Sequence, residues 1–262
     1  MPHLFDHLDI VREVLALSPF GLITDVDGTI SEIAPSPGEA RVSPLCRRYL
    51  AALAKRLELV AVISGRPVEE VRRMVGIEKM VYLGNYGLET WTNGVLEVWE
   101  GAQAYGSKIK SAIEALAGLL SIEGLFFENK GSTASIHYRR CPDPEAARGE
   151  IVAALSGLPR ARGLRITEGK MVVELRPQLE VNKGSALRYL IERYRLQGVI
   201  YIGDDISDID AFRAIHDSLI KGLGIGVVGE ETSPRVDEEA DFAVDGVGGV
   251  ERFLKWLVGV PA

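Results

Sequence analysis

Four apolar runs constrain this chain more than any other feature: FGLITDV from Phe20, LELVAVIS from Leu57, MVYLGN from Met80 and GVIYIGDD from Gly198. Each has the length of a strand and lacks polar alternation, the pattern of strands buried on both faces. Segments with helical spacing of apolar residues lie between them. Residues 8–17 form one, closed by Ser18-Pro19, and CRRYLAALAKR (46–56) another. PVEEVRRMV (67–75) is a third, with Pro67 at the favoured first helical position. Strand alternating with helix predicts a parallel sheet covered on both sides.

The grammar then changes. Residues 103–119 read as helix, FFENKGSTASIHYR as a hairpin, and DPEAARGEIVAAL as helix again. LRITEGKMVVELRP reads as a second hairpin turning at Gly169-Lys170. Hairpins are antiparallel, so this stretch predicts a separate small α+β unit. NKGSALRYLIERYR returns to helix, GIGVV and DFAVD to short strands, and VERFLKWL to a final helix. The expected fold class is α/β, a doubly wound, mostly parallel sheet with an inserted smaller α+β domain. Residues 1–101 and 179–262 would form the core and residues 102–178 the insertion.

With 47% hydrophobic residues the chain can bury a core of this size. A net charge of -7 with dispersed basic residues argues against nucleic acid and against anionic membranes as partners. No run is long enough to cross a bilayer, and the acids within the first turns of MPHLFDHLDIVREVL do not suit a signal peptide. Cys46 and Cys141 match no metal spacing and suit free thiols in a reducing, cytoplasmic setting.

In doubly wound sheets, ligands bind beyond the carboxyl ends of the strands. Four polar clusters fall there: Asp25 and Asp27, Ser64-Gly65-Arg66, Asn85, and Asp204-Asp205-x-x-Asp208. DVDGT alone is also a plain strand-ending turn, and GDDISD alone an acidic helix cap. A calcium loop counted from Asp25 fails, because its sixth position is Ile30 and its twelfth Ser36. Two carboxylates about 4 Å apart repel by about 4 kcal/mol at an effective dielectric of about 20. Gathering several therefore calls for a cation or raised pKa values, and oxygen donors suit magnesium. Aspartate can attack phosphorus, while a second aspartate can protonate the leaving oxygen and later activate water. Ser64 with neighbouring amides and Lys183 could hold the phosphoryl oxygens. GIGVVG (224–229) matches the dinucleotide fingerprint, but Glu230 and Glu231 follow at once and would repel pyrophosphate.

These residues resemble the haloacid dehalogenase superfamily, whose four motifs match DVDGT, ISGR, the lysine of NKG and GDDISD in order. Within it the chain resembles the trehalose-6-phosphate phosphatase family through SGRPVEEV, GNYGLE, FFENKG with IHYR, and VVELRP before NKG. The resemblance implies a Rossmann-like core and makes the insertion the family's cap. It implies that Asp25 is the nucleophile and Asp27 the acid/base, whose carbonyl touches magnesium. Asp204 completes the metal site with support from Asp205 and Asp208, and Ser64, Gly65 and Lys183 hold phosphate. Glu128, Lys130 and Glu174 would grip sugar hydroxyls, with Asn85 and Arg139 as further substrate candidates. Tyr86 departs from the histidine that many relatives carry in G-x-H-G-L-E and leaves the fine substrate preference open.

The insertion also reads without the family. Ser135, His137 and Arg139 share a face opposite Ile136 and Tyr138, and Glu174 and Arg176 share one opposite Val173 and Leu175. The polar face is either solvated or a polyol reader. His137 reads as structural, and Arg66 as either a helix-start cation or a phosphate contact, with the local role preferred. The expected activity is magnesium-dependent hydrolysis of a small sugar phosphate, trehalose 6-phosphate foremost, by a monomer or weak homo-oligomer. The alternatives are sucrose 6-phosphate or a phosphorylated glycoside as substrate, or a phospho-accepting signalling module.

Overall fold

The computed structural model describes residues 1–260. The chain runs α1 (Leu8–Leu15), β1 (Phe20–Thr24), α2 (Pro44–Leu53), β2 (Leu59–Ile63), α3 (Val68–Val75) and β3 (Val81–Gly84). An antiparallel pair follows, β4 (Glu89–Thr92) and β5 (Val95–Val98). Next come α4 (Gly106–Leu119), β6 (Phe126–Asn129), β7 (Ala134–His137), α5 (Pro144–Gly157), β8 (Leu164–Gly169) and β9 (Val172–Pro177). The chain closes with α6 (Lys183–Tyr194), β10 (Gly198–Gly203), α7 (Ile209–His216), β11 (Lys221–Val228), α8 (Pro234–Glu239), β12 (Phe242–Asp245) and α9 (Gly246–Gly259). Among the described residues, no helix is long and apolar enough to cross a membrane.

Two compact units result. The larger takes Met1–Ala34, Glu39–Glu97 and the chain from Val181; the smaller takes Val98–Glu180 with Pro35–Gly38. The larger holds a sheet ordered β12-β11-β10-β1-β2-β3-β4-β5. Pairing is parallel from β12 to β3 and turns antiparallel at β4. Alternate residues of each strand serve opposite faces. Leu22, Val60, Val62, Ile200 and Ile202 pack with Val14, Leu50, Val71 and Phe253 of α1, α2, α3 and α9. Ile23, Ala61, Ile63, Val199 and Tyr201 pack with Leu187, Leu190, Phe212 and Ile215 of α6 and α7. This two-sided burial explains why the strands read as unbroken apolar runs.

The chain travels outward from β1 through β2 to β3, and outward the other way from β10 through β11 to β12. The reversal falls between β1 and β10, paired from Phe20↔Gly198 to Thr24↔Ile202. A crevice opens at such a switch point beyond the strand ends, and Asp25 and Asp204 lie directly past those ends.

The smaller unit joins its two hairpins into one sheet, β6-β7-β9-β8. Ile136, Tyr138, Val173 and Leu175 face a core with Ile109, Ile113 and Leu116 of α4 and Ile151 and Leu155 of α5. The opposite face carries a row running across all four strands: Glu128↔Ser135, Ser135↔Glu174 and Glu174↔Thr167.

Two details correct the sequence reading. Pro67 is the N-cap residue, and α3 begins at Val68; its fixed φ serves the helix entry from one position earlier. The second hairpin turns at Lys170-Met171, with Met171 at φ 57 and Gly169 paired to Val172. The glycines of GIGVVG lie mostly within β11, as the strand reading of GIGVV expects, and do not link strand to helix.

Candidate active site

Pairing of β1 with β10 continues one residue past the strands, because the Asp25 amide donates to the Ile202 carbonyl at 2.9 Å. The chain then turns at Gly28, whose φ of 81° favours glycine. A Cβ there would also collide with the Asp204 carboxylate. Thr29 Oγ1 donates to Asp204 Oδ1 at 2.9 Å and ties the two strand ends together. One carboxylate oxygen from each of Asp25, Asp204 and Asp208 lies within 4.8 Å of the other two, and all three residues are buried.

Lys183 is the first residue of α6, where Asn182 and Ser185 form a reciprocal capping box. Its side chain is 2% exposed, and its Nζ lies 3.0 Å from Asp25 Oδ2 and 2.7 Å from Asp208 Oδ1. Burial pushes the Asp25 carboxyl well above its ordinary range; Lys183 pulls it back, while Asp208, Asp204 and Asp27 add to the rise. Burial alone would lower the lysine, but Asp208 and Asp25 outweigh it and hold the ammonium above its usual range. Three carboxylates against one ammonium leave two formal negative charges.

That balance and the all-oxygen donor set fit a divalent hard cation. Oxygens about 2.1 Å from magnesium stand about 3.0 Å apart when adjacent and about 4.2 Å when opposite. The observed spacing is thus within small side-chain adjustments of a coordination shell. The three acids are not equivalent. Asp208 Oδ1 accepts from Lys183 and from Tyr201 Oη at 2.5 Å, and Oδ2 accepts from the amides of Asp204 and Asp205 at 3.1 and 2.9 Å. With four donors on it, Asp208 organises the loop, and Asp25 and Asp204 retain coordinating capacity. Burial first, and then Asp208, hold the Tyr201 phenol well above its ordinary pKa, so it stays a donor.

The remaining expected residues are placed as follows. Asp205 caps the turn Ile206–Asp208 instead of joining the carboxylate cluster. Asp27 turns to Arg66, which donates from Nε to Oδ2 at 2.6 Å and from Nη2 to Oδ1 at 2.8 Å. Arg66 also pairs with Glu70, so the guanidinium expected to serve a local role grips a candidate catalytic group. Ser64 is buried, and its hydroxyl accepts from the Arg66 amide at 3.2 Å. Asn85, expected at the substrate, is fully buried and donates to Glu89 Oε1 at 2.7 Å. Glu89 Oε2 in turn accepts from the Val68 amide at the start of α3, which makes Asn85 part of a brace.

On the smaller unit, Ser135 Oγ and Lys130 Nζ donate to Glu174 Oε1 at 3.0 and 3.4 Å. His137 Nε2 contacts Glu128 Oε2 at 2.9 Å. Glu128, Lys130 and Glu174 therefore do converge. Arg139 reaches the Lys170 carbonyl at 3.4 Å, at the end of the hairpin.

Sequence reasoning passed over Thr29, Tyr201 and the Arg66 fork. Tyr201 had a readable signal, since a tyrosine inside a buried strand needs a partner for its hydroxyl. With Asp27 as the expected acid/base, Arg66→Lys should lower kcat by about 100-fold, because a lysine cannot fork onto both oxygens of Asp27 and acid/base catalysis is worth about 10²–10⁴-fold. Steady-state kinetics beside an unchanged melting curve is the check; kcat within twofold of wild type would detach Arg66 from Asp27's task.

The sheet order, the switch-point acids and the insertion define a haloacid dehalogenase-like fold. A haloacid dehalogenase-like hydrolase from Bacteroides thetaiotaomicron aligns with 90% of this chain and 98% of its own at a TM-score of 0.64 and 17% identity. The C-terminal domain of Candida albicans trehalose-6-phosphate phosphatase aligns more closely, with a TM-score of 0.81 at 19% identity over 99% of this chain and 98% of its own. The family model for trehalose-phosphatase matches residues 23–247. The chain belongs to the trehalose-phosphatase family. The trehalose-phosphate phosphatase of Mycobacterium avium is 34% identical over 246 residues, which is 89% of this chain and 60% of that protein. The chain thus spans about three-fifths of the length of the curated trehalose-phosphate phosphatases that it matches.

Proposed function

We propose that the chain is a magnesium-dependent phosphomonoesterase that hydrolyses trehalose 6-phosphate to trehalose and phosphate. The observation that carries this is the buried Asp25 carboxylate, adjoined by Lys183 and by Asp204 at the switch point. Asp25 Oδ attacks phosphorus as the bond to the sugar oxygen breaks, giving an aspartyl-phosphate. Asp27 delivers a proton to the leaving oxygen, then takes one from the water that hydrolyses the acyl phosphate. Both Asp27 oxygens accept from Arg66, so one contact must release before that oxygen carries a proton. Ser64, the Gly65 amide and Lys183 supply donors to the phosphoryl oxygens. Magnesium, held by Asp25, Asp204 and the Asp27 carbonyl, would neutralise charge developing on the transferred group.

In this reading the larger unit performs the chemistry, and Glu128, Lys130 and Glu174 of the smaller one recognise sugar hydroxyls. Phosphate release from trehalose 6-phosphate, sucrose 6-phosphate and glucose 6-phosphate, with and without chelator, tests it. Turnover of trehalose 6-phosphate should exceed the others and vanish with chelator; preference for sucrose 6-phosphate would reassign the sugar. Glu174→Gln should raise KM for the sugar phosphate by about tenfold or more while leaving p-nitrophenyl phosphate hydrolysis within twofold, because hydrogen bonds to a charged group are worth about 1.5–3 kcal/mol. Equal effects on both esters would remove Glu174 from sugar recognition.

A further inference from the structure

Residues Asn85 and Tyr86 sit consecutively in left-handed backbone, at φ 48° and 65°. For a bulky side chain such as tyrosine this is an outlier, and outliers persist where the surroundings over-determine them. Here they are over-determined by lacing between the loops after β2 and β3. The Ser64 amide donates to the Leu83 carbonyl at 2.9 Å, the Asn85 amide to the Arg66 carbonyl at 2.7 Å, and the Tyr86 amide to the Ser64 carbonyl at 2.9 Å. The Asn85–Glu89–Val68 brace fixes the same segment from behind.

The strained backbone delivers the phenol to one place. A Cβ on Gly65 would stand 2.6 Å from Tyr86 Oη and 2.7 Å from its Cζ. A side chain at residue 65 would displace the phenol, and the polar end of Tyr86 rests on the backbone of the Ser64-Gly65-Arg66 loop. Tyr86 retains 9% exposure. That loop carries the Ser64 hydroxyl, the Gly65 amide and the arginine that holds Asp27. An aliphatic or phenyl side chain would fill the same volume. A hydroxyl placed against a loop of oxyanion donors adds one more donor to it.

We propose that Tyr86 is a binding residue for the phosphoryl group, its hydroxyl donating to a non-bridging phosphate oxygen alongside Ser64 and the Gly65 amide. This rests on the phosphatase reading for its substrate, but its test does not require turnover. The full chain with magnesium chloride is titrated with inorganic phosphate by calorimetry, for wild type and Tyr86→Phe, with melting curves for both. The expected result is a loss of phosphate affinity of about tenfold or more, as for a hydrogen bond to a charged group. The melting temperature should hold, and kcat/KM should fall by a similar factor on trehalose 6-phosphate and on p-nitrophenyl phosphate.

Unchanged phosphate affinity overturns the proposal, as does a loss confined to the sugar ester, which would move the contact to the sugar. If Tyr86→Phe folds poorly, Tyr86→His, which keeps a ring donor, must bind phosphate more tightly than Tyr86→Leu; equal affinities overturn it. A wild type that binds phosphate but hydrolyses no ester defeats the enzymatic reading alone and leaves the Tyr86 contact measurable. A wild type that binds no phosphate defeats both.

Discussion

Asp25→Asn is expected to reduce phosphate release by about 10⁴-fold or more while leaving a folded protein. In the proposed mechanism this removes the nucleophile and with it the route through a covalent intermediate, and such losses are among the largest in enzymology. The amide keeps the shape of the carboxylate, and its removal relieves repulsion from Asp204, Asp208 and Asp27, all of which raise the Asp25 pKa. Lys183 keeps its contact with Asp208 at 2.7 Å. The variant should therefore melt no lower than wild type, so inactivity cannot be laid to unfolding. A discontinuous phosphate assay over hours, beside a thermal melt, decides it. Turnover within tenfold of wild type would end the aspartyl-phosphate mechanism, since no asparagine can form that ester.

The second large effect is one of stability. Lys183→Met places an apolar chain of similar length where an ammonium 2% exposed now faces Asp25 and Asp208. Removing one partner of a buried ion pair leaves an uncompensated charge and costs about 3–5 kcal/mol. For a chain of this size, the melting temperature should drop by on the order of 10 °C. The pH dependence has a definite sign. Burial raises the Asp25 pKa in the folded state, and loss of Lys183 raises it further. A raised folded pKa contributes stability that is fully present below the unfolded value and fades as pH rises through the folded one. The unfolded value is common to both proteins, so the variant's deficit should be smallest while Asp25 stays protonated in the folded wild type and should widen as pH rises through that raised pKa. Magnesium should restore part of the loss at neutral pH. A deficit that is flat with pH would sink the electrostatic account.

Much of this was legible in the sequence for a physical reason. Strands buried on both faces produce unbroken apolar runs, and a parallel sheet forces their polar termini to one edge, so Asp25, Ser64 and Asp204 could be placed before any pairing was known. The β4–β5 hairpin was passed over even though Asn93-Gly94 marks its turn, with φ 50° and 82°. Its strands extend a parallel sheet by an antiparallel pair, which the strand–helix alternation did not anticipate. The short α7 and α8 hid behind GDDISD and a polar stretch. Within the site, the Arg66 fork depends on loops 39 residues apart meeting at hydrogen-bonding distance, and local pattern holds no information about that. Asp208 read as a support of the metal site, and only its four donors show how it holds the loop. Asn85 read as a ligand contact because it ends a strand, and only its burial reveals the brace.

The seam between β1 and β10 has a consequence for how the molecule assembles. Thr29 and Asp204 are 175 residues apart in the chain, so the acids cannot crowd one another until a very long loop closes. The stretch that carries Asp25 and Asp27 leaves the ribosome well before Asp204, Asp208 and Lys183. Mutual repulsion among the carboxylates therefore arrives near the end of folding, and neutralising substitutions there should act chiefly on how fast the finished protein comes apart.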